Sequence, residues 1–413
     1  MRLFALELKR ILKSRRTLIL LAVAMLLSVV MAYLPISFEG INRPNADGTI
    51  TELDGLAAIQ YKRDLYAASS GEVTPEKVKA ALETYQNCVN EYGPVEEEGF
   101  PLDVSIKEIL PIRPLLKGLS EVFADPLTGI GADWMDIDPN KIDQSYYEKC
   151  ADHLNDVMRN EQTDYPSAQQ NALAKYAQVN TPFYLHTGIT RDAFDYIELY
   201  ILILAIICVA IAAPIFAGEY QTGSDPILRA TKNGHIRLAV TKILASCTVF
   251  IVTYTLGMII HLMILNMAFG TDCLKSSFQM LYSIISLPNI NLGQLQIILA
   301  LAGLLSILAT LSCTMYLSAK CKDSLTVLLA SLVVLLIPLF AYAAMGATWI
   351  STIFPSAGIG LQNNFLYQLA NFEYLHIGGM SIWTPYVILI SAAVEVLVFL
   401  FLAVHSYCKH QVA

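Results

Sequence analysis

The chain has 413 residues, of which 55% are hydrophobic and 15% charged. Soluble domains carry roughly 45–50% apolar and about a quarter charged residues, so an ordinary water-soluble globule is excluded. The charge is also partitioned: residues 37–196 hold 13 Lys/Arg against 27 Asp/Glu, a net of −14, and the rest holds 14 against 8, a net of +6. An acidic water-facing domain is therefore expected as an insertion in a weakly basic membrane body.

Residues 1–16 predict an amphipathic helix. Phe4, Leu8, Ile11 and Leu12 recur at helical spacing, with Arg2, Lys9, Arg10, Lys13 and Arg16 on the other side. Such a helix lies in the headgroup plane with its cations toward anionic lipid. The first span follows at 17–36; its apolar stretch is too long for a cleaved signal peptide. Spanning hydrocarbon takes about 20 mostly apolar residues. Five further segments qualify: Ile197–Ala217, Ala239–Leu265, Leu295–Leu317, Ser324–Met345 and Pro385–His405.

Residues 37–196 read as a mainly helical domain. Thr74-Pro75-Glu76 starts a helix that stops at Gly93-Pro94, and Asp138-Pro139 starts another running to about Glu161. Asp54–Ser69 and Ser167–Val179 also read as helix. For Cys88 and Cys150 two readings stand: a disulfide, or two reduced cysteines within helices.

The remaining 197–413 reads as a five-span membrane domain. Its segment 218–238 carries Arg229, Lys232 and Arg237, and Lys242 follows, giving a basic elbow between two spans. Segment 346–384 is broken by Pro355, Gly358, Gly360, Gly378 and Gly379 yet rich in apolar residues. It predicts two short helices that dip into the bilayer or cap the spans. Basic residues flanking the spans fall on one side if the chain crosses six times, and the opposite short loops contain only Lys275. Both termini are then cytoplasmic and the acidic domain extracellular.

Chemistry is sparse. Gly218-x4-Gly223-Ser224 lacks the Lys a phosphate loop needs, and no strand precedes it. There is no zinc-protease motif, no nucleophile elbow and no Cys/His cluster at metal spacing. Glu395 and His261 are polar groups inside spans. Either a protonated Glu395 bonded to a neighbouring helix or a gating role fits the sequence. Basic residues track one membrane face rather than forming a nucleic-acid patch.

The run from Phe216-x-x-Glu219 through Tyr220, Gln221, Thr222, Gly223, Ser224 and Asp225 to the basic restart resembles the first cytoplasmic loop of type-2 ATP-binding-cassette exporter permeases. The chain departs from that pattern at Pro226, which suggests a short helix capped by Asp225, and at Gly234-His235, where Ser-Arg often stands. The resemblance extends to the six spans, the N-terminal helix and the broken segment before the last span. It implies an all-α membrane fold and a permease subunit exporting a peptide, lipid or drug. It also implies that Glu219–Asp225, Arg229 and Arg237 couple the chain to a separate ATPase. ATP and Mg²⁺ would be bound by that partner, with no cofactor or metal on this chain, and a second permease would complete the pathway. The expected location is a plasma membrane, of bacterial type. The alternative is a membrane sensor whose extracellular domain binds a ligand without transport.

Overall fold

The computed structural model describes residues 2–45, 47–125, 127–231, 234–361 and 363–409. Six helices are long and apolar enough to cross a membrane: Arg15–Ser37, Arg191–Thr222, Ile236–Phe269, Leu292–Lys320, Ser324–Met345 and Thr384–Lys409. The second begins six residues before the apolar run does, because Asp192 and Asp195 continue the helical turn into its polar flank. The fold is an all-α membrane architecture with small β-hairpins attached.

The fourth span sits at the centre, against the second, third, fifth and sixth; the first packs on the second and third. Small and hydroxylated residues permit this. A Cβ on Gly303 would lie 2.5 Å from Ile201 Cδ1 and 2.8 Å from the Tyr254 hydroxyl. Tyr254 then donates to the Ala300 carbonyl at 2.7 Å, which joins the third span to the fourth. Close backbone approach replaces the hydrophobic drive that lipid does not supply.

The N-terminal helix covers Arg2–Lys13, and Ser14 caps the first span by accepting from Thr17 N at 3.4 Å. Leu3, Phe4, Leu8 and Ile11 are partly covered, and the helix packs along the third span. Its stripe is thus partly spent on protein rather than lipid.

Between the first two spans the expected helices form at Gly55–Tyr66, Pro75–Tyr92 and Pro166–Tyr176. Thr74 Oγ1 accepts from Lys77 N at 3.3 Å, and Gly93 takes φ 88° where the helix stops. The expected helix from Asp138 to Glu161 is interrupted. Asp138 caps only the turn Pro139–Lys141, then Asp143 accepts from Ser145 N at 3.0 Å and from Lys149 Nζ at 3.0 Å, and the helix restarts as Tyr146–Glu161. A further helix, Arg113–Val122, was not predicted; its apolar face supplies Leu115, Leu116, Leu119 and Val122 to the core.

Three antiparallel two-stranded pairs were also not predicted. These are β1 (Gly40–Pro44) with β2 (Ile50–Asp54), β3 (Gly71–Glu72) with β4 (Tyr184–Leu185), and β5 (Tyr374–Ile377) with β6 (Met380–Trp383). Strands of two to five residues are too short to show alternation in sequence.

This inter-span domain is fastened to the membrane body. Tyr176 donates to Ile284 O at 3.0 Å, Ser277 N donates to Tyr184 O at 2.8 Å, and Asn171 donates to Ser381 O at 3.0 Å. The segment before the sixth span forms the two short helices expected, Trp349–Ile353 and Phe365–Ala370, plus the β5–β6 hairpin. Its irregular backbone is packed in protein: Thr310 donates to Pro355 O at 2.9 Å, and Ser356 to Leu335 O at 3.0 Å.

Candidate functional site

The residues singled out in 218–238 gather at the end of the bundle that also holds the N-terminal helix, the connection between the fourth and fifth spans, and the C-terminal turn of the sixth. Their geometry starts from Pro214. A proline within a helical run lacks the N–H that would bond back one turn. The second span accordingly breaks at Ala213 and resumes as Pro214–Thr222. Ser318 of the fourth span repairs the break. Its hydroxyl accepts from Phe216 N at 3.0 Å and Ala217 N at 3.1 Å, and donates to Ala213 O at 2.7 Å.

Gly218 therefore lies inside a helix rather than at a turn. The turn is at Gly223, whose φ of 66° is the left-handed conformation that glycine adopts without a Cβ penalty. Ser224 N donates to Glu219 O at 3.1 Å, closing the helix end in a glycine-terminated cap. Tyr220 donates to Ala319 O at 3.3 Å, and Gln221 donates to Asp323 at 3.1 Å. These tie the end of the second span to the last turn of the fourth and to the connection that follows it. Thr222 spends its hydroxyl locally, donating to Gly218 O at 2.9 Å.

Glu219 is 4% exposed and accepts from both Arg10 and Lys242. Three segments far apart in sequence meet on one carboxylate: the N-terminal helix, the second span and the third. Arg10 also pairs with Glu7 at 3.0 Å. Lys242 is fully buried. Its place in the positive flank of the third span correctly located it in the chain, but it faces inward as a counter-charge.

The short helix is Asp225–Arg229. Asp225 is its first residue rather than its cap, which is Ser224, and its carboxylate accepts from Arg229 Nε at 2.7 Å. Arg229 also donates to the Tyr407 carbonyl and lies 4.4 Å above the Tyr407 ring, which joins the elbow to the last turn of the sixth span. Gly234 is required by a close approach: a Cβ there would lie 2.1 Å from Leu228 O. The cations of the basic elbow do not all face the same way. Arg229 and Lys242 point inward, Arg237 is exposed, and Lys232 lies outside the described residues. Among the described residues the elbow also exposes two large apolar side chains, Ile227 at 74% and Ile236 at 63%.

The intramembrane residues are placed apart from this knot. His261 of the third span stacks on Tyr200 of the second, ring centroids 5.3 Å apart. Glu395 of the sixth span is half-buried beside Cys313, and its Oε2 has no hydrogen-bond partner among the described residues. Sequence reasoning missed Glu198, which is buried near the start of the second span and accepts from Leu366 N at 3.3 Å. It was legible as a carboxylate inside the run Ile197–Ala217. Cys88 and Cys150 are both free; Cys150 is buried and donates to Tyr146 O at 3.3 Å. Burial pushes both thiols up, which keeps them protonated. No group of three or more His, Cys, Asp or Glu is placed to hold a metal among the described residues.

Six helices of membrane-spanning length are thus joined at one end by a charge-locked elbow, with a folded domain at the other. The sequence matches the family described as ABC-2 family transporter protein over residues 1–407. The chain belongs to that family, and so is a transmembrane permease component of an ATP-binding-cassette transporter. Such components work with an ATPase subunit. A comparison with curated proteins found no match.

Proposed function

We propose that this chain is one of two permeases, identical or related, that export a substrate outward, driven by ATP hydrolysed on a separate partner subunit. The observation that carries the reading is the Glu219 knot. A force applied to the elbow reaches the N-terminal helix through Arg10, the third span through Lys242, and the sixth through Arg229. Work delivered at one point therefore moves several helices as a unit.

In this reading the buried charges hold the elbow's shape, and the exposed Ile227 and Ile236 make the contact with the ATPase. Closure of an ATPase pair would push two elbows together and tilt the spans attached to them. ATP and Mg²⁺ reside on the partner. The cations at the elbow end, from Arg2 to Arg16 and at Arg237, Lys320, Lys322 and Lys409, favour the cytoplasm for that end, so the acidic domain faces outward. The membrane is a plasma membrane, of bacterial type.

Affinity purification of the full chain with its co-expressed ATPase tests the reading. Retention of the ATPase is expected for the unaltered chain and lost for Ile227→Asp combined with Ile236→Asp. An ATPase retained undiminished by that variant, or ATP hydrolysis by the purified chain alone, would refute it.

A further inference from the structure

The inter-span domain carries a cavity of opposite sign to its surroundings. Residues 37–196 have a net charge of −14, yet four of their 13 cations line one cavity of about 490 Å³. These are Lys62, Arg113, Lys117 and Arg191. The lining holds one carboxylate, Glu39, and it is already bonded to Lys62 at 2.6 Å. Among the described residues, Arg113, Lys117 and Arg191 have no carboxylate within the 4.0 Å of an ion pair.

The cations are held where they repel one another. Arg191 is fixed by donating to Leu281 O at 2.7 Å and to the Tyr282 carbonyl, which orders its guanidinium without neutralising it. Burial, and then the charge of Arg191, pull the Lys117 ammonium below its ordinary range. Its neighbour Glu121 is committed elsewhere, accepting from Ser283 and from Ile284 N at 3.1 Å. Clustered cations of which three have no direct ion pair cost free energy that a bound anion would reduce.

The lining also includes the apolar side chains of Trp134, Met280, Leu281 and Leu292. Arg191 and Leu292 are the first residues of the second and fourth spans. The cavity thus lies beside the ends of those two helices, and a molecule in it meets both cations and apolar side chains.

We infer that this cavity binds a phosphate-bearing anion, with the headgroup phosphate of an amphiphile against Arg113, Lys117 and Arg191 and its apolar part along Leu281 and Leu292. The phosphate can come from a phospholipid or from a soluble phosphate. The site does not depend on the direction of transport or on the ATPase.

The full chain in uncharged detergent is titrated calorimetrically with dihexanoyl phosphatidylglycerol, dihexanoyl phosphatidylcholine and inorganic phosphate. Saturable binding of the phosphatidylglycerol is expected, with the choline lipid much weaker because its own cation is repelled. Arg113→Gln with Lys117→Gln should weaken binding by roughly tenfold or more, since two charge-assisted contacts are lost. Lys79→Gln with Lys107→Gln, equal in charge and on the same domain, should change nothing. Raising salt on the unaltered chain should weaken binding, and this arm is independent of any variant's folding. Inorganic phosphate binding as tightly as the glycerol lipid supports the anion site and assigns its source to soluble phosphate. Equal binding of the two lipids, salt-insensitive binding, or an unaffected double variant overturns the inference.

Discussion

Lys242→Met isolates the energetics of the Glu219 knot. Lys242 is fully buried and Glu219 nearly so, and the two are bonded directly. Removing one partner of a buried ion pair typically costs about 3–5 kcal/mol, because the other charge stays buried and uncompensated. Here Arg10 continues to donate to Glu219, and its side chain is 44% exposed, so solvent screens that residual pairing. The expected loss for Lys242→Met is therefore at or below the lower end, about 2–3 kcal/mol. Replacing both charges, Glu219→Gln with Lys242→Met, keeps the volume and removes the stranded carboxylate. That double variant should recover to within about 1 kcal/mol of the unaltered chain. Thermal unfolding of the detergent-purified proteins, read as a double-mutant cycle, gives the coupling directly. A single variant as stable as the original, or a double variant no better than the single, would refute the knot as a buried electrostatic unit.

Other outcomes follow from the same geometry. Ser318→Ala strands Phe216 N, Ala217 N and Ala213 O at the Pro214 break, and should cost about 1–3 kcal/mol in the same unfolding assay. Gly234→Val places a side chain against Leu228 O and should loosen the elbow, seen as faster proteolytic cleavage between the second and third spans. At the far end, burial and then the charge of Glu373 hold the Glu161 carboxyl above its ordinary value of 4.5. A raised acid is destabilising when ionised, so its penalty is absent below the ordinary value and grows as pH rises through the folded one. Glu161→Gln should accordingly raise the unfolding temperature at neutral pH and have little effect near pH 4.

Much of this architecture was legible because its signals are one-dimensional. Each span is a run long enough to cross hydrocarbon, and Thr74-Pro75 and Gly93 bracket a helix by rules that need no tertiary contact. Glu219 stood out for a similar reason, as a carboxylate where an apolar run ends. Its partners did not. Arg10 lies 209 residues away and Lys242 lies 23 away, and each reads locally as one of many cations that flank a span. Pairing across such separations is decided by packing. Ser318 was invisible for the same reason: its value arises only because Pro214 is opposite. Gly218 was misleading, since glycine punctuates loops in water but also serves helices that must pack closely. The cationic cavity could not be read at all, because Lys62, Arg113, Lys117 and Arg191 are dispersed through an acidic segment.

The most direct test of the account replaces Ile227 with a photo-crosslinking amino acid in cells that express the chain together with its ATPase. Leu127, 86% exposed on the inter-span domain, serves as the opposite-end position. Illumination should join the ATPase to position 227 and leave position 127 without it. Capture of the ATPase at 127, or its absence from 227 while the two proteins still purify together, would contradict the assignment of the elbow as the point where work enters.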